Sequence, residues 1–385
     1  MGRKAALALM LMTCLFMLGG CGGQEIESCL FVLAMAVDPA PDGNLMVTVK
    51  ALSGTQETPG GAPAQEENKQ HGIEQTEPGY IVMSTTAQSC LRALNLLSAT
   101  TPRTINLSQL REVVVNRTLA ETDATLSILK EIHSMYRANG EAVVVVTPDD
   151  AGDFIRRQRA ILGVRLSKYL EVLFDHFSDL DTIPPHAQLA SVIAAMESGM
   201  TDAAAVYASG NAFDSTLVLG GDSDVDRLPG HLPRTSPAEN EYLGSALFSG
   251  ARMTGVLTGE ETGILCLMMS EAKRRTTFIG NAQYKTNLRT RVRRSVKDGV
   301  LGVSVRMHLT RIAGEESLPG GEIARQTELR CAEVLAKLKE ASCDAAGFGA
   351  LAVRRYPDIA SWTKADWETA YEQADARVSV NVTVR

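Results

Sequence analysis

Cys21 is the residue whose surroundings most clearly predict a chemical modification. Two basic residues near the N-terminus precede an apolar run over 5–18, and two glycines then stand directly before the cysteine. This order is typical of an export signal, and the apolar run is too short to span about 30 Å of hydrocarbon comfortably. The sequence Leu-Gly-Gly-Cys resembles a bacterial lipobox, so we predict a signal peptide over 1–20 and a diacylglycerol on the Cys21 sulfur. An ordinary secretory signal with a chance cysteine, or an uncleaved apolar anchor, is the alternative.

Five further cysteines lie beyond Cys21, and their spacing argues against metal or redox chemistry. They are odd in number, they form no Cys-x-x-Cys pair, and no histidine lies near them at ligand distance. We therefore predict no zinc site and no cysteine nucleophile. Those in predicted helices should pack as small hydrophobic side chains. The five are Cys29, Cys90, Cys266, Cys331 and Cys343.

Other apparent motifs lack the context that their chemistry needs. Residues 347–352 match a Gly-x-Gly-x-x-Ala pattern but follow a predicted helix, so we expect a tight turn there with Phe348 in the core. The acidic run over 222–226 resembles the start of a calcium loop, but Arg227 stands where glycine is needed. The sequence holds no Gly-x-Ser-x-Gly, His-Glu-x-x-His or P-loop pattern. We predict no cofactor, no metal and no enzymatic activity; a surface hydrolase would need a paired nucleophile and base in a pocket.

A basic stretch between residues 273 and 297 is the strongest charge feature of the chain. It contains nine basic residues and no acidic residue. Lys285 and three of its arginines share strand parity and should project from one face of a sheet. Contact with anionic lipid headgroups or an acidic partner is one interpretation, and a solvated outer face is the other. The candidate contact residues are Arg289, Arg291 and Arg293.

Length and composition indicate a folded chain of at least two domains. The chain has 385 residues, 45% of them hydrophobic and 22% charged, as is usual for globular proteins. Its net charge of -7 argues against nucleic-acid binding. The predicted ranges are an N-terminal domain over 21–210, which includes a flexible insert over 53–78 and a helical subregion over 151–210, a linker over 211–240, and a C-terminal domain over 241–385.

The two predicted domains differ in their pattern of secondary structure. The first alternates strand, helix and strand, beginning with a hairpin over 29–51. The second begins with two short strands and a capping box at 258–261, and continues with an antiparallel hairpin whose turn is Asp298-Gly299. A helix over 322–343 and a final strand over 378–384 complete it. We predict a multi-domain α+β fold of mixed and antiparallel sheets packed with helices.

Three groups of residues, spread over nearly the whole chain, carry a resemblance to a known family. The opening group is the lipobox cysteine followed by an apolar strand that ends in Asp38, before a Gly turn and a Val-rich strand. The middle group is an apolar step at 255–258 that leads into paired glutamates. The closing group, the most specific, runs from 344–349 through Arg354-Arg355-Tyr356-Pro357, Trp362 and Trp367 to a final Val-rich strand. The chain resembles the Ger(x)C family, the lipoprotein subunit of bacterial spore nutrient germinant receptors.

The resemblance implies a function and partners that composition alone does not. It implies a non-enzymatic subunit, required for receptor assembly or signal transmission in germination. The implied partners are two integral-membrane proteins, the A and B subunits, and the implied location is the outer face of the spore inner membrane. The sequence departs from the family pattern at Gly22-Gly23, at Gln109 and in the insert over 53–78. The alternative is a lipid-anchored solute-binding protein of a transporter, which would need two similar lobes around a polar cleft.

Overall fold

The first domain is organised around a mixed sheet of ten strands. In the computed structural model the described residues, besides Gly2, are 28–53, 73–77, 79–135, 137–160, 165–211, 226–232, 240–272, 276–279, 282–286, 290–313 and 318–385. The strands of the sheet are β1 (Cys29–Pro39), β2 (Leu45–Leu52), β3 (Ile73–Glu77), β4 (Tyr80–Ala87), β5 (Thr104–Asn106), β6 (Glu112–Asn116), β7 (Val143–Thr147), β8 (Ala204–Gly210), β9 (Asn240–Ser249) and β10 (Arg252–Leu257).

The strand order is β10-β9-β8-β7-β6-β1-β2-β4-β3, with β5 beside the start of β1. The strands β1, β6, β7 and β8 are parallel, whereas the flanking strands on both sides are antiparallel. Parallel strands are normally buried on both faces, which explains the near-continuous apolar sequence of β1 and β7. The predicted hairpin of β1 and β2 is confirmed.

Helices cover both faces of this sheet. The core on one face is shared with α1 (Cys90–Ser98), α2 (Arg117–Ala120), α3 (Ala124–Ser134) and α6 (Leu189–Ser198). The core on the opposite face is shared with α4 (Ala151–Arg157) and α5 (Leu166–Asp179). Strand β1 supplies both cores, since Met35 and Val37 belong to the first and Leu33 and Ala36 to the second. The result is a three-layer arrangement of helices, sheet and helices.

The second domain has a five-stranded sheet covered on one face by a long helix. Its strands are β11 (Thr276–Ile279), β12 (Ala282–Thr286), β13 (Arg291–Lys297), β14 (Val300–Ala313) and β15 (Asp375–Val384). Its helices are α7 (Gly259–Met269), α8 (Gly320–Glu340), α9 (Gly349–Ala352), α10 (Ile359–Lys364) and α11 (Trp367–Gln373). The predicted apolar stripe of α8 packs on alternate residues of β14 in one core.

Three local predictions in the second domain are confirmed. Thr258 accepts a hydrogen bond from the Glu261 amide, and the Glu261 carboxylate accepts one from the Thr258 amide, which completes the capping box of α7. Asp298 and Gly299 form the turn between β13 and β14, with φ values of 51° and 75°. The final strand β15 is tied into the sheet, parallel to β14.

Two predictions about the first domain are wrong. Ala204–Gly210, placed in the helical subregion over 151–210, is the strand β8. Its sequence is a short apolar run with no hydrophobic periodicity. A strand that is buried on both faces of a sheet has the same hydrophobic pattern as a buried helix, so the sequence could not distinguish the two. Ile73–Glu77, placed in the flexible insert over 53–78, is the strand β3, which pairs with β4. Backbone pairing at a sheet edge does not need apolar side chains, so composition missed it.

Strands from both sides of the predicted linker meet in one sheet. β8 precedes residues 211–240, and β9, which begins at the last of them, pairs with it. Most of that linker, and residues 54–72 of the insert, lie outside the described residues. The domain ranges themselves stay a prediction, whereas the α+β class with mixed and antiparallel sheets is confirmed.

Candidate functional site

The outward face of the second sheet carries the described part of the predicted basic contact. Strand β13 alternates exposed and half-buried residues, with Arg291 and Arg293 exposed. On β14 the residues of opposite parity, such as Val303 and Val305, are buried in the core beneath α8. The two arginines therefore lie on the face of the sheet that α8 does not cover. Arg289 and Cys21 lie outside the described residues, so their roles stay predictions.

Cross-strand pairing adds basic residues that sequence spacing did not predict. Arg306 of β14 stands directly opposite Arg291, and Arg377 of β15 lies two strands from Ser295. Both are exposed. We call the exposed side chains on this side of the sheet the basic face. Its basic members are Lys285, Arg291, Arg293, Lys297, Arg306 and Arg377.

Not every basic residue of the stretch belongs to this face. Arg294 has the opposite parity and turns inward, where its guanidinium donates a hydrogen bond to the Ala346 carbonyl. Burial lowers the pKa of Arg294, while nearby Asp344 and Glu271 oppose that shift. Lys273, Arg274 and Arg275 lie outside the described residues.

The closing sequence motif forms a buried turn around Asp344. Its carboxylate accepts hydrogen bonds from the amides of Phe348 and Gly349 at 2.8 and 2.6 Å, and from the Trp367 indole at 3.2 Å. Gly347 adopts a φ of 73°, and Phe348 is fully buried, as predicted for a tight turn. Burial raises the pKa of Asp344 to about 7, although these donors favour the charged form.

This turn joins the second domain to the first. The Asp344 carbonyl accepts hydrogen bonds from the Thr201 hydroxyl at 3.0 Å and from the Asp202 amide at 3.3 Å. The Asp202 carboxylate in turn accepts one from the Asp344 amide at 2.8 Å. Trp362, which stacks on Trp367 at 5.7 Å, donates to the Gly199 carbonyl. We call the contact of 199–203 with this turn and the two tryptophans the domain junction.

A second buried polar cluster lies between the first sheet and the layer of α4 and α5. The Glu112 carboxylate accepts hydrogen bonds from the Gln158 amide and, at 3.2 Å, from the Tyr242 hydroxyl. Lys50 is fully buried nearby and donates to the Ile155 carbonyl at 3.2 Å and to the Gln158 carbonyl. Burial raises the pKa of Glu112 to about 7, and the charge of Lys50 opposes that shift. This cluster could not be predicted from the sequence, because single charges inside strands carry no spacing signal.

Asp38, a residue of the opening motif, has a structural role that is visible in its contacts. Its carboxylate accepts hydrogen bonds from the amides of Ala151 and Gly152 at 2.7 and 2.9 Å, at the start of α4. A carboxylate at a helix N-terminus satisfies amides that lack partners within the helix. Asp38 therefore ties the end of β1 to α4.

The described cysteines lie inside the fold. All five are free and buried. Burial raises the pKa of Cys90 and of Cys331 to about 12, which suppresses the thiolate needed for nucleophilic attack. Within the described ranges no group of metal-ligating side chains comes together, and none of the helices there is both long and apolar enough to cross a membrane.

Comparison with known proteins assigns both domains. Residues 22–209 match the family model described as the spore germination protein N-terminal domain, and residues 243–385 match the one described as spore germination B3/GerAC like, C-terminal. A solved structure, "Crystal Structure of the GerBC protein", is 11% identical with a TM-score of 0.49, covering 91% of this chain and 96% of that chain. No curated protein matches. The two family matches cover most of the sequence, and the chain therefore belongs to the Ger(x)C family, the C-subunit family of spore germinant receptors.

Proposed function

We propose that the chain is the lipid-anchored, non-enzymatic C subunit of a spore nutrient germinant receptor. In this role it assembles with the integral-membrane A and B subunits and is required for receptor assembly or for passing the nutrient signal. The observation that carries the proposal is the match of both its domains to the spore germination family. Membership supports a place in a membrane receptor complex.

The proposed anchor is a diacylglycerol on Cys21, on the outer face of the spore inner membrane. Lipid chains contribute about 0.8 kcal/mol for each buried methylene, so two or three chains hold a protein durably on a bilayer. Ser28, where the described structure resumes, lies seven positions after Cys21. A segment of this length reaches at most about 25 Å when fully extended. The first domain would thus be held close to the membrane surface.

The contacts between the domains support a subunit that acts as one body. The domain junction combines hydrogen bonds at 199–203 with the buried Asp344 turn. The two sheets differ in strand number and in their helical cover. A transporter's solute-binding protein would need two similar lobes around a cleft, so this architecture favours the receptor subunit over that alternative.

The proposal predicts that Cys21→Ala removes the lipid and abolishes the germination response. The variant would be expressed in spores beside the native chain and a Cys14→Ala control, whose cysteine lies inside the predicted signal and leaves with it. Mass spectrometry of the N-terminal peptide reports the lipid, and nutrient-triggered germination reports function. We expect a lipidated peptide and normal germination for the native chain and the control only. An unmodified N-terminal peptide in the native chain, or normal germination of the Cys21→Ala spores, would contradict the proposal.

A further inference from the structure

The basic face is an open sheet surface with an unusual composition. We consider the outward positions of β13, of β14 from 302 to 310 and of β15 from 377 to 383. They hold cations, histidine and small or polar residues, and none of them is acidic. Among the described residues, acidic side chains flank it at the end where Asp298 lies 3.9 Å from Lys297 and Asp375 begins β15. The surface is therefore a cationic patch within a chain whose net charge is negative.

Three arginines bring their positive charges close together on this face. Arg291 and Arg306 are directly opposite each other in the antiparallel pair, which places their Cβ atoms about 5 Å apart. Like charges at such positions destabilise a sheet. Arg293, in the next outward position, adds a third cation to the group. An anionic group held between these side chains would offset their mutual repulsion.

The neighbouring side chains leave room for such a group and can bind it. Ser304 of β14 pairs with Arg293 on one side and with Ser379 of β15 on the other. Arg306 pairs with Asn381 of β15. These side chains are short, and their hydroxyl and amide groups can donate hydrogen bonds to phosphate oxygens. Guanidinium groups match phosphate geometry well because they donate two parallel hydrogen bonds.

The composition of the face favours a lipid surface over a protein partner. The outward positions named above contain no aliphatic side chain and no Phe, Tyr or Trp, and the exposed Ile312 lies beyond them on β14. Protein interfaces rely on buried aromatic and apolar anchors at their centre. A surface of cations and small polar groups instead suits the headgroup layer of an anionic bilayer.

We propose that the basic face rests on the membrane by binding the phosphate groups of anionic lipids between Arg291, Arg293 and Arg306. This inference rests on the proposed membrane-bound function and adds a second attachment, distant in sequence from Cys21. With both attachments in place, the second domain has a fixed orientation toward the bilayer.

The test measures how close the face lies to lipid headgroups in the intact chain. A fluorescent label on Thr383→Cys reports from an exposed position on β15, and the described native cysteines are buried and do not compete for it. The full-length protein is placed in vesicles of phosphatidylcholine alone or with about one third phosphatidylglycerol, and headgroup-bound nitroxide quenches the label. We expect strong quenching only with the anionic lipid, and its loss near 1 M salt, where the Debye length is about 3 Å.

Variants then assign the effect to the arginines. Each cation near an anionic surface gives about a fivefold preference for it, so changing Arg291, Arg293 and Arg306 to Gln should weaken the contact on the order of a hundredfold. The matched control changes three exposed cations of the same domain, Arg354, Arg355 and Lys364, to Gln. We expect that control to keep the quenching of the native chain.

Three outcomes would overturn the proposal. They are equal quenching in both kinds of vesicle, equal loss in the control variant, and protection of the label only when co-purified proteins are present, which would make the face a protein interface. Mass spectrometry of the same sample reports lipid on Cys21. An unmodified Cys21 would contradict the proposed anchor, whereas quenching that ignores lipid charge would contradict the basic-face proposal, so the two failures are distinguishable.

Discussion

Three buried carboxylates each hold several hydrogen-bond donors in place. Asp38 binds the start of α4, Glu112 binds Gln158 and Tyr242, and Asp344 holds the turn before α9. A buried polar group is costly unless it is hydrogen-bonded, so each of these residues requires its partners. Asp38 and Asp344 belong to motifs recognisable in the sequence. Their partners could not be predicted, because the contacts depend on how β1 and the junction pack.

The raised pKa of Glu112 predicts that the protein loses stability as the pH rises. The pKa is 4.5 for an unperturbed side chain and about 7 in the fold, with burial as the main cause. Between these values the folded chain holds a proton that the unfolded chain has released, so stability present at low pH is lost as the pH rises through about 7. In Glu112→Gln this loss should be smaller by up to about 3 kcal/mol.

Urea unfolding at about pH 5 and about pH 8 measures this difference for the native chain and the variant. Glutamine keeps an acceptor for the Gln158 amide and does not titrate, so the variant isolates the contribution of the carboxyl group. Asp344 shifts in the same direction, so some dependence should persist in the variant. Identical pH dependence in the two proteins would show that Glu112 is ionised in the fold throughout this range.

Among the helices and strands, the spacing of apolar residues correctly predicted those that have one buried face. The stripe of α8 and the alternation of β13 and β14 each have a clear period, and both are confirmed. β8 was missed because it is buried on both sides and has no period. Arg306 could have been placed opposite Arg291 by counting back from the predicted turn at Asp298-Gly299. Arg377 could not, because no turn determines the parallel pairing of β15.

The domain junction depends on close contact at Gly349. A Cβ atom there would lie 2.5 Å from the Met200 carbonyl oxygen and 2.6 Å from the Trp367 indole nitrogen. Overpacking of this kind typically costs about 1–3 kcal/mol. We therefore expect Gly349→Ala to lower the midpoint of chemical denaturation and to make 199–203 more susceptible to proteolysis.

The matched control is Gly321→Ala, at the start of α8. A Cβ there meets no atom within 4 Å, and alanine favours a helix, so its midpoint should stay the same or rise slightly. If the two alanine variants unfold at the same denaturant concentration, the junction does not depend on the close packing around Gly349.

The whole molecule combines two dissimilar domains and presents a basic face. The family, the α+β class and two arginines of the face could be predicted from the sequence. It did not predict the ten-stranded sheet, since β9 and β10 join strands that precede the predicted linker. Pairing between distant strands depends on tertiary packing, and no local pattern of residues specifies it. The partners of the molecule likewise could not be derived from the fold of a single chain, because they depend on how several chains assemble.

Co-purification of the tagged native protein from detergent-solubilised spore membranes tests the central claim most directly. The Cys21→Ala chain serves as the parallel sample. We predict that two multi-span membrane proteins accompany the native chain and that the variant loses them together with the germination response. A native chain that purifies alone with a bound small molecule would contradict the receptor-subunit account and favour a solute-binding protein.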